Sequence, residues 1–191
     1  MELNLTLGVN IWPNIYAKTA EIRYENRIKW LQFQVNRNSL FTNIKVNKFN
    51  PSVSPLCTFC ERSPELISHL FYHCSKVFPL LEGLQEWLSS FNVDFQLDKL
   101  QVLFLKLDEP SSSIVNFTIL CLKYFIWRAK FSETDLTLPL FLRYLFLKLK
   151  DLKEAKIYCN KVHEFNKWNN IFDHLSRTRP ENEQHLVPEL V

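Results

Sequence analysis

The sequence predicts a mainly all-α fold with a cysteine- and histidine-rich knuckle set into it. Three observations predict this. Glycine occurs only twice in 191 residues, which argues against turn-rich β-sandwiches, Rossmann folds and P-loops, all of which spend glycines on turns and phosphate cradles. Apolar residues make up 47% of the chain and recur at helical spacing between polar breakers. Finally, three of the five cysteines and two of the five histidines fall within residues 57–74.

Taken in order, residues 16–35 read as a first helix. Ile22, Ile28, Leu31 and Val35 lie near one face, and Trp30 and Phe33 are expected to widen that buried stripe. Residues 36–50 are too rich in asparagine for one regular helix, and a short helical turn is expected around Leu40–Ile44. The stretch 51–55 holds two prolines and breaks the chain. Ser63-Pro64-Glu65 has the form of a helix start, with an N-cap, a proline at the first helical position and an acid in the first turn. A second helix is predicted over 77–91, starting near Pro79, and a mixed stretch follows over 92–110.

Ser111–Ser113 can cap a helix over 114–131 that is apolar nearly all round and therefore buried. Within it Trp127 is expected in the core, with Arg128 and Lys130 pointing outward. Thr137-Leu138-Pro139 then opens one long helix, about 139–174, whose stripe runs through Phe141, Leu145, Leu149, Leu152, Cys159, Val162, Phe165 and Trp168 with a polar lapse at Lys156. These elements divide the chain into a basic helical segment at 1–50, a knuckle segment with its following helix at 51–91, a helical segment at 92–176 and a disordered tail at 177–191.

The chemistry concentrates in Cys57-Thr-Phe-Cys60, then eight residues, His69, then four residues and Cys74. A Cys-x2-Cys knuckle puts two thiolates on one tight turn, and a helix offers nitrogen and sulfur from across the loop. That is the closed, tetrahedral donor set of structural zinc. His73 competes with Cys74 for the fourth position. In a regular helix His69 and His73 stand i,i+4 on one face, whereas Cys74 is turned about 140° away; thiolate is the stronger ligand. Spacing leaves both open. Cys121 and Cys159 lie on apolar helices and read as packed thiols, and His163 as a half-buried helix residue. The odd cysteine count, and a start without the basic and continuous apolar regions of a secretory signal, point to a reducing intracellular compartment, nucleus or cytoplasm. No apolar run is long enough to span a membrane.

The net charge is +3, unevenly distributed. Residues 18–48 hold seven Lys/Arg against two acids, and residues 51–110 hold four against eight. Arg23, Arg27, Lys29, Arg37, Lys45 and Lys48 are interleaved with Tyr24, Trp30, Phe33, Phe41 and the amides of Asn36, Asn38 and Asn43. Cations beside amides and rings suit a nucleic acid, RNA or DNA. The other reading of the same residues is a solvated face over a buried aromatic stripe. There is no glycine-rich loop, no nucleophile elbow and no locally paired carboxylates, so neither an enzyme nor a small-molecule substrate is expected.

The order of these features resembles the zinc-binding domain at the C-terminus of reverse transcriptases from non-LTR (LINE-type) retrotransposons. The resemblance is carried by Trp30-Leu-x-Phe33, Arg37-Asn-Ser-Leu40-Phe-Thr42-Asn43, Pro55-x-Cys57-x-x-Cys60, Glu65-x-x-x-His69-Leu-Phe71-x-x-Cys74 and the later Tyr124-Phe-Ile-Trp127-Arg128-Ala-Lys130. It covers about residues 16–172, and its specific part is the Cys/His block with the preceding Leu-x-Thr-Asn. It implies zinc held by Cys57, Cys60, His69 and Cys74. It also implies contact with template RNA or target DNA, and a place beside the polymerase in a larger reverse transcriptase polyprotein. The family usually has a tryptophan soon after the last cysteine, where this chain has Phe78-Pro79. No Tyr-x-Asp-Asp pair occurs, so the chain is not expected to polymerise or to cut DNA. The rival expectation is a zinc-stapled protein-interaction module that docks through its long helix.

Overall fold

The computed structural model describes residues 13–15, 25–93, 95–105, 112–132, 134–154 and 162–177. Among them the fold is helical and without strands; the only extended pairing is one antiparallel bridge, Leu56 to Pro64. The helices are α1 (Asn26–Asn36), α2 (Asn43–Phe49), a five-residue π turn (His69–His73), α3 (Phe78–Ser89), α4 (Lys99–Phe104), α5 (Ser112–Ser132), α6 (Leu138–Glu154) and α7 (Val162–Arg177). None of them is long and apolar enough to cross a membrane.

The central element is α5. Every residue from Ile114 to Ile126 is buried, because α1, α6 and α7 all pack against it. Apolar all round in sequence, the helix is surrounded in structure, as its pattern demands. Phe125 sits at the middle of this core, its ring 5.7 Å from Phe141 and 5.8 Å from Tyr144 of α6. On α3, Leu80, Leu81, Leu84 and Leu88 are buried, each side chain contributing about 1.5–3 kcal/mol of transfer free energy. That helix approaches the start of α6 closely. A Cβ at Gly83 would lie 3.2 Å from Leu138 Cδ2, so one of the two glycines is placed by packing. Asp98 caps α4, accepting from the backbone N–H groups of Leu100 (2.9 Å) and Gln101 (3.1 Å).

Four expectations need correction. The predicted long helix is two helices lying against each other: Phe146 stacks on Phe172 with centroids 5.2 Å apart, whereas one continuous helix would hold them about 39 Å apart. The polar lapse at Lys156 falls between the two, outside the described residues, as do the side chains of Cys159, His163 and Phe165 and the tail beyond Arg177. Ser63-Pro64-Glu65 does not start a helix, because it pairs back on residues 55–57; the helical backbone begins at Ile67. Trp30 is 60% exposed rather than buried. Lys130 does not point outward; it turns inward to Glu65, while Trp127 is half-buried, packed edge-on against the exposed Phe131.

One buried polar cluster joins α1, α4 and α5. Lys123 donates from Nζ to Gln32 Oε1 and, at 3.1 Å, to the Leu103 carbonyl. Gln32 Nε2 donates to the same carbonyl at 2.9 Å and to Asn36 Oδ1 at 2.6 Å. Burial pushes the Lys123 ammonium well below its ordinary range.

Candidate metal centre

The loop that carries the first two cysteines is built by backbone pairing. The Cys57 N–H donates to the Ser63 carbonyl (2.8 Å) and the Glu65 N–H to the Pro55 carbonyl (2.9 Å). Between these arms the chain reverses at Glu61, which adopts a left-handed backbone (φ 53°) and donates its N–H to the Cys57 carbonyl at 2.9 Å. Cys57 and Cys60 therefore sit on one tight turn facing the segment that follows.

That segment sets which residue is brought beside Cys57, Cys60 and His69. Residues 69–73 form a π turn, closed by the Cys74 N–H donating to the His69 carbonyl at 2.9 Å, an i→i+5 bond. The wider turn brings residue i+5, rather than i+4, back toward His69. Cys74 then leaves the turn in an extended conformation. The regular-helix argument for His73 fails for this reason: His73 is exposed, its ring set edge-on against Tyr72.

The donor atoms of Cys57, Cys60, His69 and Cys74 all lie within 4.8 Å of one another. The sulfurs of Cys57 and Cys74 are 3.7 Å apart, and Cys60 Sγ is 3.3 Å from His69 Nε2. A tetrahedral zinc with its usual bond lengths of about 2.0–2.3 Å would set neighbouring donors about 3.5–3.8 Å apart. The Cys57–Cys74 pair matches that spacing and the four donors lie close enough to close around one zinc ion with small shifts, while the sulfur separation is far too long for a disulfide. The hydrogen bond from Cys57 lowers the Cys74 thiol pKa, whereas that same bond and burial push the Cys57 thiol up. Desolvation, with His73 nearby, lowers the His69 pKa, which favours the neutral imidazole that a metal requires.

A second layer holds the knuckle in place. The buried Glu65 carboxylate accepts from the Asn43 N–H (2.9 Å), the Thr58 N–H (3.0 Å), the Thr58 hydroxyl (3.0 Å) and Lys130 Nζ. Asn43 Nδ2 donates to the Leu56 carbonyl (2.8 Å) and Thr58 Oγ1 (3.1 Å). One carboxylate therefore ties the start of α2, the residue after Cys57 and the end of α5 together. Reading Glu65 as a first-turn acid missed this role, and local spacing held no signal for it.

The six basic candidates are placed differently from one another. Arg23 lies outside the described residues. Arg27, Arg37 and Lys48 are exposed and Lys29 is half-buried; none of these four pairs with a carboxylate among the described residues. Lys45 is drawn into structure, its Nζ donating to the carbonyl and to Oδ1 of Asn38. Asn38 is the left-handed residue (φ 50°) that ends α1. Of the three asparagines, Asn36 is buried, Asn38 turns the chain and Asn43 braces the knuckle.

The fold and the donor cluster define a helical domain built around a Cys3His knuckle. Residues 7–78 match the family model described as zinc-binding in reverse transcriptase. The match takes in α1, α2 and all four donors and stops at Phe78, the first residue of α3. That stretch is a zinc-binding, reverse-transcriptase-associated domain. Comparison with curated proteins and with solved structures found no match to the chain.

Proposed function

We propose that this chain is the zinc-binding accessory part of a non-LTR (LINE-type) reverse transcriptase, that it binds template RNA or target DNA, and that it has no catalytic activity of its own. Zinc held by Cys57, Cys60, His69 and Cys74 has all four positions filled by protein. Such a closed site ties chain segments together and leaves no position for substrate, and its bound thiolates are not free nucleophiles. The partners of this reading are RNA or DNA and the rest of the polyprotein, in the nucleus or cytoplasm.

One observation carries the nucleic-acid part. From Asn26 to Cys60 the chain has five Lys/Arg and not one Asp or Glu, and this stretch carries two of the four donors, Cys57 and Cys60, on a loop that Asn43 braces through the Leu56 carbonyl and Thr58 Oγ1. A rival protein-docking role for the long helix has less support. The apolar stripe of α6, with Phe141, Tyr144, Leu145 and Leu149 buried, is already covered within the fold. The test is a nucleic-acid shift assay with and without chelator, wild type beside an Arg27→Ala, Arg37→Ala variant. Weaker binding by the variant supports the reading, and equal affinities at every salt concentration sink it.

A further inference from the structure

Helix α1 has two opposite faces. Ile28, Leu31, Gln32, Val35 and Asn36 are buried. At about 100° per residue, Trp30 stands about 170° from the centre of that stripe. It is therefore the residue the helix turns furthest from the core, and it is 60% exposed. A tryptophan held in water across from the buried face of its helix is not there for packing.

The indole is also held in place. Its ring stacks on Phe33 with centroids 5.3 Å apart and planes 19° from parallel. The Arg37 guanidinium lies over the Phe33 ring, 5.2 Å from its centroid. With Arg27 one turn before Trp30, this face reads cation, ring, ring, cation along the exposed side. Two further aromatics of the acid-free stretch stand in water, Phe41 at 58% and Phe49 at 81% exposure.

Resting on the proposed nucleic-acid reading, we infer that Trp30 is a stacking platform for an unpaired base, and that this face of α1 selects single-stranded over duplex nucleic acid. Charge complementarity names the occupant: it must be a polyanion, because every charged group in the stretch is a cation. It must also offer flat π faces. A single strand offers both, whereas a duplex buries its base faces inside its own stack. Phe33 holds the indole before the base arrives, so less freedom is lost on binding. Arg27 and Arg37 flank the platform where the phosphates on either side of a stacked base run.

The test compares three probes of equal phosphate count: a single-stranded RNA of roughly 12 nucleotides, the same backbone without bases, and a closed hairpin duplex. Wild type should bind the first probe best. Trp30→Ala should weaken binding to that probe between about 5-fold and about 150-fold, the range for loss of one base–aromatic stack. The same change should leave the abasic strand and the duplex within about 2-fold and the salt dependence unaltered, because no phosphate contact is lost. Trp30→Phe should retain most of the affinity. The exposure of Trp30 makes these variants fold, which circular dichroism checks. Salt-dependent binding that is equal for wild type and Trp30→Ala, or equal for the strands with and without bases, overturns the platform and leaves the nucleic-acid reading standing. No binding to any probe overturns both. If that result comes with self-association that Trp30→Ala abolishes, the face is a protein contact.

Discussion

Lys130 near the end of α5 and Glu65 beside the knuckle form an ion pair shut off from water, with side chains 6% and 0% exposed. The pair couples the central helix to the metal centre, because the same carboxylate also holds Thr58 and Asn43. Removing one partner of a buried pair leaves an uncompensated charge, which costs about 3–5 kcal/mol. Lys130→Ala should therefore destabilise by about that amount in urea unfolding. Glu65→Gln keeps an acceptor and should cost less. Because Glu65 fixes the residue next to a ligand, either change should also weaken zinc binding about 10- to 100-fold. Zinc affinity unchanged in both variants would show that the knuckle does not depend on the pair.

Metal analysis of single variants tests the donor set. Wild type should carry one zinc per chain; Cys57→Ser, Cys60→Ser, His69→Ala and Cys74→Ser should each lose most of it. His73→Ala should keep it, since His73 lies outside the four-donor cluster. Full zinc in Cys74→Ser together with loss in His73→Ala would reverse the assignment.

Chelation should act locally. Structural zinc contributes about 10–16 kcal/mol of apparent binding free energy in isolated fingers, much of it folding free energy. Here α5, α6 and α7 pack directly on one another, as well as on a core that includes Cys57, Leu70, Phe71 and Cys74 of the knuckle. EDTA should loosen about residues 52–76, seen as faster amide exchange there, and leave most of the far-UV helical signal. Collapse of nearly all helicity would show that the metal organises the whole fold.

The sequence made much of this legible, and the parts it concealed share a physical cause. The knuckle spacing names Cys57, Cys60 and His69 outright, and the apolar run over 114–131 marks the buried helix. Cys74 over His73 could not be read from periodicity, because the π turn breaks the 100° step on which periodicity rests. Trp30 reads as core in the sequence because aromatic residues count as core by default, yet the helix turns it into water. The break between α6 and α7 was hidden by a stripe that continues through both. Glu65, Lys123 and Lys130 are charged residues buried with partners as far as 65 to 91 positions away, and no local pattern records a partner at that distance.

Lys123 predicts a pH effect. Its folded-state pKa is lowered from the ordinary 10.5 by burial. Between the folded and unfolded values the unfolded chain binds the extra proton, so the lysine lowers stability progressively as pH falls through that window. Lys123→Met removes the effect. The stability of the variant relative to wild type should therefore rise as pH falls from about 10.5, by up to about 1.4 kcal/mol per unit. Leaving Gln32 Oε1 without its donor shifts the difference by a constant and does not change its slope. Urea unfolding of both proteins at about pH 10 and about pH 8 measures it, and a constant difference would mean that the ammonium stays charged in the fold.

The salt dependence of nucleic-acid binding separates the cations by their surroundings. Arg27, Lys29, Arg37 and Lys48 have no carboxylate partner among the described residues, whereas Lys45 is committed to Asn38. Each phosphate contact to a single strand releases condensed counterions worth about −0.7 in the log–log salt slope, so four contacts give about −3. Arg27→Ala with Arg37→Ala should flatten the slope by about 1.4, and Lys48→Ala by about 0.7. Affinity itself should stay modest, with a Kd of roughly micromolar or weaker at physiological salt from the backbone contacts alone. Lys45→Ala should behave differently. It removes the donor that steadies the left-handed Asn38, so it should lower thermal stability while leaving the slope nearly unchanged. Fluorescence anisotropy across a salt series resolves the three variants. A Lys45→Ala slope that flattens as much as that of Lys48→Ala, without loss of stability, would mean that Lys45 leaves Asn38 to meet phosphate.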